Sequence, residues 1–357
     1  MKMTILYAGQ SSPHAGWAAI DELALIMARV FAAELLSPAI LPNSLLRRVT
    51  RREKLQFAPL ACAGGDVLFV VARGPEDLAM VNAISNVRRK FGRVHAFVTD
   101  TYFHAGYYAE TALFDSITVT ALEDCAFPVE KFGVRVHHLY QGSDTLQWAP
   151  RCDFTREIDI MSFGRTPPSY QSALTQAFHR MDSPYLYLHS PLGNLSGPTV
   201  QVERAMLFKL LHRTRISLAF HLLLEPQGGR PRSMMVTSRW LESLLSGCVV
   251  AGRRPVSRMA EDMLAWPGST HELSEVPGEA TQELEALLRN DDGLQHQRRV
   301  NVYNTIQRHD WRQRIQTLCG FNGWSLPSGL KDELQQLEAL ALQWRNLAGV
   351  SSQFSNE

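Results

Sequence analysis

The sequence has 357 residues, 45% of them hydrophobic and 20% charged, with a formal net charge of +1. That length suits two globular domains with a core each, and the near-neutral balance argues against nucleic acid as the main partner. No apolar run reaches the roughly 20 residues that span a bilayer, and "MKMTILYAGQ" lacks the anatomy of a signal peptide. The five cysteines (Cys62, Cys125, Cys152, Cys248, Cys319) are scattered and never in CxxC spacing, so they read as reduced thiols of a cytoplasmic protein.

In chain order, "MTILYAG" reads as an apolar strand, followed by a helix expected over about Gly16 to Leu36. The segment "LLRRVTRREKLQF" sets Arg47, Arg48, Arg51, Arg52 and Lys54 among apolar residues. On a helix this is a basic amphipathic face, equally a solvated surface or a contact for an anionic membrane surface. "DVLFVVA", "RVHAFVTD", "SITVTA" and "VRVHHLY" follow as strands, most with helical segments between them. Continuous apolar strands alternating with helices predict a parallel sheet covered on both faces. Tyr140 to Glu157 is rich in turn formers and reads as a joint. Beyond it the alternation restarts with "IDIMSFG", "YLYLHS", "RISLAFHL" and "CVVAG", and the tail "KDELQQLEALALQWRNLAG" is an amphipathic helix.

In open α/β sheets ligands bind beyond the carboxyl ends of the strands. The residues placed there are Gly9 to His14, Asp100 to His104, Gly164 and Arg165, and the loop entering the helix of "TSRWLESLLSG". In that helix Ser238 is the expected N-cap, Leu241, Leu244 and Leu245 face the core, and Gly247 ends it. Arg239 then stands in the first turn, where the macrodipole disfavours a cation unless an anion shares the site. Arg239 and Glu242 fit either a diphosphate and a ribose diol or a plain i,i+3 surface pair. Asp100, His104 and His14 are the candidate general bases, and Tyr102, Phe103, Tyr107 and Tyr108 line a groove or pack a core. Arg312 and Arg314 in "HDWRQR", behind Asp310 as a plausible N-cap, read first as structural. No DxD motif is flanked by strand signals, and "NDDG" reads as a helix-ending turn, so no metal site and no cofactor are expected. No GxGxxG follows the first strand, which argues against a Rossmann dehydrogenase.

The block "RWLESLLSGCVVAG" resembles the donor-binding element of GT-B glycosyltransferases, most of all the group 1 or CgeB-like branch. "REIDIMSFGRTP", "HDWRQRIQTL", "FVTDTYF" and "YQGSD" extend the resemblance over most of the chain. Group 1 members often carry an earlier glutamate as well, and here that position is Met234, which weakens transfer of their retaining mechanism. The resemblance implies an α/β fold of the GT-B type: two doubly wound Rossmann-like domains facing across a cleft, with a C-terminal helix crossing back to the first. Residues 1–145 would form the acceptor domain, 155–325 the nucleotide-sugar donor domain, and 329–350 the returning helix. It implies a metal-independent transferase taking a sugar from a UDP-, GDP- or dTDP-sugar, with Arg165, Ser238, Arg239 and Glu242 at the donor. A sugar-nucleotide epimerase of the same fold, or a silent scaffold that partners an active transferase, are the alternatives. A cytoplasmic place at the inner face of the membrane would follow if the basic segment binds lipid.

Overall fold

The structure, a computed structural model, describes residues 1–9, 15–42, 55–190, 200–224 and 234–350. The expected basic face of Arg47, Arg48, Arg51, Arg52 and Lys54, and the candidate base His14, lie outside these residues. The chain divides into two compact units: Met1–Gly142 with Arg314–Lys331, and Ser143–Arg230 and Met234–Gln313 with the segment from Asp332 onward. The division after Gly142 falls inside the joint expected from the turn-rich stretch.

The first unit holds a six-stranded sheet in the order β2-β1-β3-β4-β5-β6. Its strands are β1 (Met3–Tyr7), β2 (Glu34–Leu36), β3 (Gly65–Ala72), β4 (Phe91–Val98), β5 (Ser116–Val119) and β6 (Arg135–His138), all parallel. Leu68, Val70, Val94, Ala96, Ile117 and Val119 are buried in one cluster, as apolar runs covered on both faces should be. The first helix spans only Ala18–Phe31; Ala32 turns left-handed at φ 49° and releases the chain into β2. Residues Glu34–Leu36, which the helical reading absorbed, pair with Thr4–Leu6 instead. From the far end of the chain, Trp324 sits edge-on to Phe31, Phe69 and His95 at 6.0, 5.9 and 5.5 Å between centroids.

The second unit holds a five-stranded parallel sheet in the order β11-β10-β9-β7-β8. Its strands are β7 (Ile158–Phe163), β8 (Tyr187–Ser190), β9 (Thr214–Phe220), β10 (Val249–Arg253) and β11 (His271–Glu272). One face is covered by the helices Pro168–Phe178 and Pro277–Arg289, whose Leu174, Phe178, Leu284 and Leu288 join Ile160, Ile216 and Val249. In a second cluster Phe208, Leu245, Val302 and Ile306 pack with Leu337 and Trp344 of the last helix, Ser328–Ala348. The segment belonging to the first unit is therefore Arg314–Lys331, and the apolar stripe of the helix expected over 329–350 is buried in the second. Arg312 is internal, as its structural reading expects, and binds Asp144, Asp310 and Glu333 at 2.8, 3.1 and 2.6 Å. Arg314 donates to the carbonyl of Gln141 at 3.5 Å.

Candidate active site

In the second sheet the chain passes from β7 to the edge strand β8, then crosses to the other side of β7 to form β9. The carboxyl ends of β7 and β9 therefore border the switch point where doubly wound sheets bind ligands. A cavity of about 800 Å³ lies there, and among its lining are Gly164, Arg165, Gln171, His189, Phe220 and His221. The prolines Pro167 and Pro168 start the next helix at that rim, and neither carries an N–H.

Arg239 comes to the end of β7 from another element, without joining the lining of the cavity. Its helix spans Ser238–Leu245 with Thr237, not Ser238, as the N-cap, and no side chain caps it. The guanidinium extends back to β7, where Nη1 donates to the carbonyl of Arg165 at 2.5 Å and the group lies 5.6 Å from the centre of the Phe163 ring. Gly164 makes room: it sits at φ +68°, and any Cβ there would collide with Arg239 Nη2. Burial, then the neighbouring Arg165, lower the Arg239 pKa to about 10, so it keeps its charge at neutral pH. Arg239 thus meets the backbone of Arg165, and among the described residues neither arginine has a carboxylate within ion-pair distance.

Glu242 sits elsewhere. The whole stretch Trp240–Leu245 is buried, so the expected polar edge of this helix is internal. The Glu242 carboxylate takes the Arg204 guanidinium at 2.5 Å, with both side chains about 5% exposed. Arg204 is in turn flanked by Trp148 and Phe208, at 5.5 and 5.1 Å. The surface pair with Arg239 is replaced by this internal one, and the carboxylate serves Arg204 rather than the cavity.

Two histidines absent from the sequence-based set line the cavity. His189 Nδ1 meets Ser162 Oγ at 3.0 Å, and Ser162 Oγ meets Tyr187 Oη at 2.8 Å. His221 Nδ1 accepts from the Leu223 amide at 3.2 Å. Burial lowers the pKa of both, with His179 adding to the effect on His189 and Arg253 to that on His221.

In the first unit the switch point lies between β1 and β3. Arg73, just past β3, binds Asp21 at 2.7 Å and the Gly9 carbonyl at 2.9 Å. Asp77 accepts from the Arg73 amide, and burial raises its pKa to about 6. Beyond β4, the Asp100 amide donates to the Arg73 carbonyl at 2.8 Å. His104 Nε2 contacts Asp124 at 2.9 Å, the His104 ring stacks on Phe127 at 4.2 Å, and Thr101 donates to the same carboxylate at 2.7 Å. Of the four nearby aromatics, Tyr107 is buried, Phe103 is half exposed and lies 4.3 Å from Tyr102, and Tyr108 is partly buried.

Residues 193–320 match a family model described as glycosyl transferase-like. No curated protein matches the sequence significantly. Among solved structures, the Anabaena protein Alr3699/HepE, crystallised with UDP-glucose, aligns over 90% of this chain and 100% of its own, at 11% identity and a TM-score of 0.54. The chain has the GT-B fold. Weaker likenesses are to S. aureus TarM (11% identity, 71% of this chain, 54% of TarM, TM-score 0.43) and to the DNA-modifying enzyme β-glucosyltransferase (9% identity, 86% and 94%, TM-score 0.43). On this GT-B chain Arg165 lines the cavity at the second sheet's switch point, and Arg239 bonds its carbonyl from a helix on which Ser238 is the preceding residue. Glu242 is on the same helix but turned into the core, and Asp100 and His104 belong to the first unit. His189 and His221 had one signal in the sequence: each is at the end of an apolar strand.

Proposed function

We propose that the protein is a glycosyltransferase that binds a nucleoside-diphosphate sugar in the cavity of its second unit. The observation that carries this reading is the meeting of Arg239 with Arg165 at the end of β7, with Arg165 in the lining of the cavity and, among the described residues, no carboxylate within ion-pair distance of either. A diphosphate is the complementary ligand, through bidentate N–H···O bonds from the guanidiniums. In the reaction an acceptor hydroxyl oxygen bonds to the anomeric carbon as the bond from that carbon to the diphosphate breaks. The departing diphosphate gains negative charge, which the two guanidiniums stabilise. The hydroxyl proton passes to a general base, for which the sequence offers Asp100, His104 and His14 as candidates.

The glycosyl transferase-like match over residues 193–320 supports this reading, since the segment includes Arg239, Glu242 and His221. HepE, of the same fold, was crystallised with UDP-glucose, which makes uridine diphosphate sugars the first donors to test. We assign Arg165 and Arg239 to the diphosphate, Ser238 to the same rim, and Glu242 to holding the helix through Arg204. The group 1 or CgeB-like branch rests on the "RWLESLLSG" block. We test it by scanning nucleotide sugars for hydrolysis or transfer: released nucleoside diphosphate that depends on Arg165 and Arg239 supports the proposal. Conversion of the donor into its epimer would favour the epimerase, and binding without turnover with any acceptor would favour the scaffold.

A further inference from the structure

The hydrogen-bond chain behind His189 has a direction. Gln171 Nε2 donates to Thr175 Oγ1 at 3.1 Å, so the amide turns its oxygen towards Tyr187, whose hydroxyl donates to that oxygen at 2.8 Å. A tyrosine hydroxyl has one proton, so in the contact with Ser162 it accepts, and Ser162 donates. The single Ser162 proton is then spent as well. In its contact with His189 the serine oxygen accepts, and Nδ1 carries the hydrogen. A neutral imidazole with Nδ1–H has its lone pair on Nε2, and among the described residues no protein group bonds that nitrogen. Ser162 and Tyr187 are buried, and His189, paired in register with Ser162, is the member of the chain that joins Gln171 in the lining of the cavity.

We propose that His189 is a specificity-determining residue of this cavity, presenting Nε2 as a hydrogen-bond acceptor to a donor group on the ligand. This rests on the nucleotide-sugar reading above. The shared chemistry is an N–H or O–H on the ligand. It is supplied either by the ring N–H of a lactam base (uracil, thymine, guanine) or by a sugar hydroxyl. Cytosine and adenine offer a ring nitrogen lone pair at the corresponding position and would set acceptor against acceptor. Gln171, Tyr187 and Ser162 are positioning residues that hold the tautomer. Replacing Tyr187 by phenylalanine frees the Ser162 proton to point at Nδ1, which would move the hydrogen to Nε2 and turn an acceptor into a donor.

The test has two readouts on the full chain. Long-range proton–nitrogen correlation spectra of ¹⁵N-histidine protein, with His189→Phe for assignment, report the tautomer without any ligand. Nδ1–H in the wild type and Nε2–H in Tyr187→Phe are expected. Calorimetric titration then compares UDP with CDP, GDP with ADP, and UDP with UDP-glucose. If the base is read, a lactam nucleotide binds about tenfold tighter than its amino counterpart, and the ratio collapses in both variants. If a hydroxyl is read, the bases are equivalent and an added affinity for UDP-glucose is lost in His189→Phe but kept in Tyr187→Phe, since a hydroxyl also accepts from Nε2–H. Melting curves identify a variant that has merely lost its fold. An Nε2–H tautomer in the wild type overturns the inference. So do unchanged affinities in His189→Phe while Arg165→Ala abolishes binding, and that outcome leaves the donor reading standing. No binding of any nucleotide by the wild type removes the donor reading, and this inference with it.

Discussion

Arg239 and Glu242 lie on one helix and face opposite tasks. Arg239 is tolerated in the first turn because its guanidinium leaves the helix for the end of β7, where it lies on Phe163 and bonds the Arg165 carbonyl. Its removal breaks no ion pair among the described residues, so Arg239→Ala should weaken nucleoside diphosphate binding by about tenfold or more, measured by calorimetry, with little change in melting temperature. Glu242 behaves the other way. Truncating one partner of a buried ion pair strands the other charge, so Glu242→Ala should cost about 3–5 kcal/mol in chemical denaturation. The anomaly at Arg239 was legible in the sequence because it breaks a rule of helix electrostatics. The partner of Glu242 was not, because Arg204 comes from a helix, Val200–Leu211, whose position relative to Glu242 only the packing defines.

At the scale of elements, the apolar runs read as strands fall on the observed strands to within a residue or two, since a strand buried on both faces has no other plausible fate. The two short strands escaped. Glu34–Leu36 continues a run of good helix formers, and only the left-handed Ala32 breaks it; His271–Glu272 is too short for any pattern. The capping residue moved by one, from Ser238 to Thr237, the usual uncertainty at helix ends. The other end is sharper. Gly247 sits at φ +74°, its amide bonds the Leu244 carbonyl, and the Cys248 amide bonds that of Ser243, a Schellman closure. Gly247→Ala should therefore destabilise by about 1 kcal/mol or more, because the left-handed backbone is strained and the new methyl would press on Arg156 Nη2. Denaturant titration against wild type reads this directly. His189 shows the opposite limit, since its chain of bonds joins β7, β8 and the helix Pro168–Phe178, a juxtaposition no one-dimensional pattern contains.

For the molecule as a whole, pH offers a handle on the first unit. His95 is buried, bonds Ser116 at 2.7 Å, and has its pKa lowered by burial from 6.5 to about 4. Between those values the unfolded chain takes up a proton that the native state refuses. The contribution is therefore full above pH 6.5 and is lost as the pH falls towards 4, by up to about 3 kcal/mol. Asp77, with its pKa raised to about 6, gains in the opposite sense over much of the same range. The slope of wild type minus His95→Gln isolates the histidine, and His95→Gln should show the flatter acid limb. Two doubly wound α/β halves were legible from two runs of alternating strands and helices around one turn-rich joint, and the GT-B type came from the resemblance of the "RWLESLLSG" block, whereas no pattern pointed to the burial of the last helix's stripe in the second unit. The central claim is that the cavity at the β7–β9 switch point holds a nucleoside diphosphate, and calorimetric titration of the full chain with UDP, GDP, dTDP, ADP and CDP tests it most directly. We predict saturable binding of at least one of them to the wild type, lost in Arg165→Ala and Arg239→Ala and kept in an Arg258→Ala control on the surface. Absence of binding by all five, or binding that survives both arginine substitutions, would contradict it.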